Sequence, residues 1–420
     1  MTERMGKELT KASVLWGLLL GLVALLITLY LFFLILPPPV PSFVWQYFTP
    51  LDVERARRYQ MVMRFSSLLA YLVKTGLLLW LWWSGRAAAL ASGILRLSGQ
   101  RYFLATGLFF ILIWALLKGV ALPFSFYSSF IVQHLWGFST QTLASWWVDY
   151  LKGSGIDLLL SGIGTLLFFW ATGRWPFSWW AVAGLFLAFW MVVETFLWPV
   201  VLAPLFNRFE PLKEGPVKSM VVDLSQRAGL EVKEVWVMDA SRRTTKANAY
   251  FTGLGKTKKI VLYDNLLRDY SPEEVEAVVA HEMAHWKKGH IVKGLLWGMV
   301  GGFIFFILLY GILRLTAPGE IVPGQPYPPH LLVVILVFVQ LISFLAQPVG
   351  NALSRRQEAE ADRVALELTG NRRAMVELHV DLARRNLQEI APHTFIEWLT
   401  YSHPAPWRRI EGALKEGEGD

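Results

Sequence analysis

Seven long apolar stretches constrain this chain more than any other feature, at approximately 14–36, 65–83, 102–122, 156–172, 178–203, 291–315 and 330–350. Crossing a bilayer takes about 20 mostly apolar residues, and each stretch is long enough or nearly so; the fourth is the shortest. One soluble core cannot hide seven such segments. The composition agrees, at 54% hydrophobic and only 17% charged, where a soluble domain carries about 25% charged residues. The 20 Trp and 27 Phe suit helices that meet bilayer interfaces. Arg4, Lys7 and Lys11 precede the first stretch as they would a signal peptide. That stretch is too long for one, however, and ends in Pro37-Pro38-Pro39 rather than a small-residue cleavage site, so it reads as a helix.

The stretches divide the chain. Residues 1–206 read as an N-terminal membrane region of five spans, 207–290 as a segment of soluble composition, 291–350 as a transmembrane hairpin and 351–420 as a polar helical region. Within the insert, Val232–Met238, Ala247–Thr252 and Lys259–Tyr263 read as short strands. A turn is expected from Asp264 onward. Ser271-Pro272-Glu273-Glu274 then opens a helix, with Ser as cap, Pro in the first turn and Glu274 placed to close a capping box. The last region should break at Gly370 and at Pro404 and Pro406. The expected fold is mainly α: a multi-pass membrane protein of about seven transmembrane helices, with a small α/β domain between spans five and six.

The net charge of +8 could signal nucleic acid. No Lys/Arg stripe interleaved with exposed aromatics appears, so the lipid bilayer and not nucleic acid is the expected partner. Loop 316–329 has no Lys or Arg, whereas 207–290 and 351–420 are rich in them. The positive-inside rule puts both polar regions, and with them the chemistry, in the cytoplasm. Arg4, Lys7, Lys11, Arg86, Arg96 and Arg101 pull the other way. Lys74, Lys118 and Glu194 lie within spans and suggest a hydrated chamber among the helices.

Chemistry concentrates at His281-Glu282-Met283-Ala284-His285. On a helix, positions i and i+4 share a face, so both imidazoles can reach one ion with Glu282 beside them as general base. The chain has no Cys, which excludes disulfides, thiolate zinc sites and a Cys nucleophile. A third ligand must therefore be His, Asp or Glu, and Asn351–Asp362 is the richest source. Glu358 and Asp362 share a helical face there, while Glu360, about 200° around from Glu358, points elsewhere as a surface residue. His290 would lie about 13 Å along the axis from His281 on a continuing helix, too far to be a ligand. His134, His330, His379 and His393 read as isolated solvent or interface positions.

HEMAHWKKGH followed beyond a hydrophobic hairpin by SRRQEAEAD resembles the type 1 CAAX prenyl protease family of integral-membrane zinc metallopeptidases. Leu122-Pro123-Phe124 with Gly137-Phe138-Ser139, then NRFEPL at 207–212, Asn248-Ala249-Tyr250-Phe251 and Ser402-His403-Pro404, follow in the family's order. Gln133 and His134 depart from it where an acidic residue is expected, as does Ser139 in place of Asn. The resemblance covers roughly 120–410 and implies a zincin-like catalytic segment. It implies one Zn2+ held by His281, His285 and Glu358, with Glu282 as base and Asp362 behind a ligand His. Asn248-Ala249-Tyr250 would be an edge strand that takes up an extended substrate. His403 would donate to the oxyanion, with Arg409 supporting it or the substrate carboxylate. The implied substrate is a peptide or protein at the membrane, typically cut near a C-terminal prenylated Cys. A membrane-protein quality-control protease is the alternative within the class. A transporter or channel with a structural metal site is the alternative outside it, against which Glu282 argues.

Overall fold

The computed structural model describes residues 2–36, 38–232, 234–253 and 259–415; Met1, Pro37, Lys233, residues 254–258 and 416–420, and the side chains of residues 2–7, Arg4 and Lys7 among them, lie outside the described residues. Seven helices among the described residues are long and apolar enough to cross a membrane. In chain order the helices begin with α1 (Thr2–Ile35), α2 (Pro50–Trp83) and α3 (Arg86–Leu97). Then α4 (Tyr102–Phe126) continues through a wide turn at Tyr127–Ile131 into α5 (Val132–Leu135), followed by α6 (Leu143–Arg174) and α7 (Trp179–Leu197).

Several helices overrun the apolar stretches that announce them, because caps rather than hydropathy end a helix. Thr49 and Asp52 close a capping box with Pro50 in the first turn, so α2 starts well before its apolar part. Thr142 caps α6 by accepting from the Ser145 N–H, which makes the shortest expected span a helix of 32 residues.

A four-stranded sheet follows, ordered β1-β2-β4-β3: β1 (Phe209–Pro211), β2 (Val235–Met238), β3 (Ala249–Thr252) and β4 (Lys259–Tyr263). β2 and β4 run parallel, and β1 and β3 pair antiparallel on either side of them. β4 falls where the alternation puts it. β1, inside NRFEPL, is too short to announce itself. Around the sheet lie α8 (Pro216–Ala228), α9 (Asp264–Asp269) and α10 (Pro272–Lys287). The expected turn at Asp264 is thus the start of α9, whose Leu266 is buried. Ser271 and Glu274 form the anticipated box: Glu274 N–H donates to Ser271 Oγ (3.3 Å) and Ser271 N–H to Glu274 Oε2 (2.8 Å). Val275, Val279 and Met283 of α10 are buried in one core with Leu262 of β4 and Met375.

α11 (His290–Thr316) and α12 (Leu331–Thr369) form the membrane hairpin, and α13 (Arg372–Arg385), α14 (Thr394–Thr400) and α15 (Pro406–Lys415) complete the fold. α12 is one unbroken helix of 39 residues. At 1.5 Å per residue, Glu358 sits about 40 Å along it from Leu331, beyond a hydrocarbon layer of about 30 Å. A membrane helix therefore delivers its own last turns to the soluble layer, against α10. Gly370 ends it with φ 62. Pro406 begins α15 rather than breaking a helix, because a first-turn proline has no intrahelical bond to lose.

Candidate active site

Helix α10 sets His281 and His285 one turn apart, with their Nε2 atoms 3.1 Å from each other. Glu358 arrives on α12. Its Oε2 lies 3.3 Å from His281 Nε2 and its Oε1 3.4 Å from His285 Nε2. Ligand atoms that share a tetrahedral zinc at about 2.1 Å stand about 3.4 Å apart, close to the spacing found. Glu358 Oε2 is buried without a hydrogen-bond partner, a costly condition for a carboxylate oxygen in a metal-free site. Two imidazoles, one such oxygen and an open side make the donor set of a catalytic metal centre, and the residues fit an ion.

Glu282 stands between this cluster and the sheet: it lines the same cavity as His281 and Glu358, and its Oε2 accepts the Phe251 N–H at 3.1 Å. Burial pushes its carboxyl up to about 7. β3 is one of the two edge strands. Tyr263 N–H donates to Asn248 C=O across the β3–β4 pair, so the alternate residue Ala249 turns its N–H and C=O to the open side. Asn248 and Ala249 line the same cavity of about 720 Å³ as His281, Glu282, Glu358 and His403. Tyr250 does not; its ring packs edge-on against Tyr263.

Asp362, one turn beyond Glu358, places Oδ1 2.9 Å from His281 Nδ1. Arg409 donates twice to the same carboxylate, from Nε (2.7 Å) and Nη2 (2.6 Å). Arg409 thus braces Asp362 while also lining the cavity that holds His403. His379 is no isolated surface group. It is buried, with Nε2 3.8 Å from Asp362 Oδ1, and burial together with the Arg409 charge pulls it down to about 3. His403 reaches the cluster from the opposite wall, Nε2 3.4 Å from Glu358 Oε2, with its side chain 56% exposed. Its loop is tied down. Arg355 Nη1 donates to Glu397 C=O (3.0 Å) and Tyr401 C=O (2.6 Å), and Arg64 of α2 bridges Tyr401 Oη and Glu389.

Two sequence expectations change here. Glu360 does face away from the ligand atoms, yet it is not a free surface residue: Oε2 lies 3.1 Å from His290 Nε2. His290 stays outside the ligand set, as expected, but does not continue the helix of His281 and His285. α10 stops at Lys287, Gly289 takes the left-handed conformation at φ 65, and the chain folds back to set His290 Nδ1 2.9 Å from His285 Nδ1. The glycine before His290 is the signal in the sequence that the helix ends. The 122–139 segment meets the entry to β3: Thr245 N–H donates to Phe138 C=O, and Gln133 bonds Tyr59, whose hydroxyl takes Lys246 Nζ at 2.8 Å. Lys74, Lys118 and Glu194 line neither this cavity nor the apolar one of about 680 Å³ between α1, α2 and α4. Lys118 pairs with Asp157 at 2.8 Å instead.

Residues 211–416 match the profile of peptidase family M48, and residues 37–208 that of the CAAX prenyl protease N-terminal domain of five membrane helices. CAAX prenyl protease 1 of Saccharomyces cerevisiae is 31% identical over 312 residues, 69% of this chain and 68% of that protein. The chain belongs to peptidase family M48. Another relative, a Bacillus subtilis protein described as the uncharacterized metalloprotease YhfN, is 33% identical over 282 residues, 66% of either chain. The crystal structure of S. mikatae Ste24p superposes with a TM-score of 0.79 at 25% identity, covering 94% of this chain and 98% of that one. This M48 protein is thus a membrane-embedded metallopeptidase with a mainly helical fold, and the transporter reading is set aside.

Proposed function

We propose that this protein is a zinc endopeptidase that acts at the cytoplasmic face of its membrane, with one Zn2+ per chain held by His281, His285 and Glu358. The observation that carries the reading is the convergence of those three ligand atoms beside Glu282, in one cavity with an open strand edge. When bound, the ion would supply a Lewis acid for the peptide carbonyl and an activated water. The residues of the chain do the rest. An extended peptide adds to β3 through Ala249 N–H and C=O, with Asn248 beside it, which supports the substrate role of this tripeptide through two of its three members. Tyr250 serves by packing β3 rather than by touching substrate.

Glu282 takes a proton from the attacking water on a carboxylate oxygen and passes it to the leaving amine. A carboxyl near 7 suits both transfers. His403 Nε2 donates to the oxygen of the attacked carbonyl as charge develops there. Asp362 holds His281 Nδ1 and is itself fixed by Arg409. The Lys and Arg of 207–290 and 351–420 support a cytoplasmic site, on the far side of the membrane from loop 316–329.

The relatives named CAAX prenyl protease 1 point to peptides with a C-terminal prenylated Cys as substrates. Incubating the purified protein with a prenylated and an unprenylated C-terminal peptide, with and without a zinc chelator, tests this by mass spectrometry. Chelator-sensitive cleavage of the prenylated peptide is expected. Cleavage of unprenylated membrane proteins, with prenyl peptides ignored, would instead mark a quality-control protease.

A further inference from the structure

We propose that Glu360 and His290 form a relay that fixes the ring of His285 from behind, which makes both of them positioning residues for the metal site. The inference rests on the reading of His285 as a ligand through Nε2. An imidazole that offers Nε2 to an ion keeps its proton on Nδ1, so His285 must donate from Nδ1. The atom that faces it at 2.9 Å is His290 Nδ1, which must then accept. His290 therefore carries its own proton on Nε2, and Glu360 Oε2 lies 3.1 Å from that atom. Each atom along the path has one role, and no two donors or acceptors meet.

The surroundings suit this assignment. The His290 side chain is only 3% exposed, so without these partners its two nitrogens would be buried and unmet. Lys288 and Lys293 Nζ stand 3.3 and 3.7 Å from the Glu360 carboxylate and favour its charge. Helical phase explains why an extra imidazole is needed. Asp362 shares the face of Glu358 and reaches His281 directly, whereas Glu360 is rotated away and reaches His285 only through His290, which α11 supplies. The two ligand histidines are thus braced in different ways from one helix.

Metal-ligand partners of this kind typically change metal affinity by about 10–100-fold when removed. The test uses the full-length protein in detergent, with zinc affinity read by competition with a chromophoric chelator and the ligand field by the visible spectrum of the Co2+-loaded form. Glu360→Ala and His290→Ala are each expected to weaken zinc by about 10–100-fold and to shift the Co2+ bands. The double variant should be no weaker than the worse single one, since the two act in series. Glu360→Gln, whose amide oxygen still accepts from His290, should stay nearer the parent than Glu360→Ala. Unchanged affinity and spectrum in Glu360→Ala, or multiplied losses in the double variant, would overturn the relay. His285→Ala separates the two readings: if it keeps zinc, the ligand assignment fails, and if it loses zinc while Glu360→Ala does not, only the relay fails. Should His290→Ala fail to fold, as judged by melting of the metal-free forms, Glu360→Ala decides alone.

Discussion

One turn of α12 holds two carboxylates in different states, and their surroundings make the difference. Glu358 keeps a buried oxygen without a partner, whereas Asp362 is clasped by Arg409 and faces His281. Glu358→Ala should therefore lose zinc and activity together, checked by metal analysis of the purified variant. His403 lies beside the cluster without being needed to complete it. His403→Ala should keep its zinc and turn over about 10²–10³ more slowly, the usual effect of losing one oxyanion donor; loss of metal in that variant would make His403 a ligand. His379 gives a pH signature. Its folded value, about 3, lies below the ordinary 6.5. As pH falls through 6.5 the unfolded chain takes up a proton that the folded chain refuses, so His379 costs stability below that pH. His379→Gln should flatten the fall in Tm between about pH 7 and about pH 5, and an unchanged slope would contradict the assignment.

The helices meet in ways that composition alone does not rank. α7 and α11 pack closely through glycines: a Cβ added at Gly302 would lie 2.6 Å from Leu187, and one at Gly184 would lie 2.6 Å from Phe303. Small residues let two apolar helices approach where lipid offers no hydrophobic drive to join them. Gly301, next in line, has nothing within 4 Å of its would-be Cβ. Gly302→Val should thus destabilise the α7–α11 contact by about 1–3 kcal/mol, the usual cost of overpacking, and Gly301→Val should not. Thermal melts in one detergent compare them, and equal losses would mean that the α7–α11 contact is looser than it stands here. α12 matters differently. Because it is continuous, its rotation about its own axis sets at once which residues face lipid and which carboxylate faces α10.

At the scale of the whole molecule, a soluble layer sits on a membrane bundle, and the chain carries no cysteine to confuse a labelling experiment. Glu214 has a side chain 86% exposed in the soluble layer, and Glu320 is 51% exposed in the loop at the opposite end. With the site in the cytoplasm, Glu214→Cys should react with a membrane-impermeant maleimide only after cells are broken open. Glu320→Cys should react in intact cells. The reverse pattern would place the catalytic layer outside.

Hydropathy, cap chemistry and the i,i+4 rule act within a few residues, and what they govern was legible in the sequence by itself. The apolar spans, the capped helix that carries His281 and His285, strand β4 and the mainly helical membrane fold all belong to that group. Glu360's rotation away from the ligand atoms belongs there too, since helical phase is local. Resemblance, not spacing, singled out Glu358. Only the tertiary structure decided what each polar group meets. A single left-handed residue, Gly289, turns His290 back onto His285, where a continuing helix would have carried it away. The packing of α13 and α15 on α10 and α12 buries His379 and brings Arg409 onto Asp362. Such partners are far apart in sequence, and buried polar groups must be paired with whatever packing delivers. Local pattern sets which face of a helix a residue occupies; the neighbouring helix decides what that face is for.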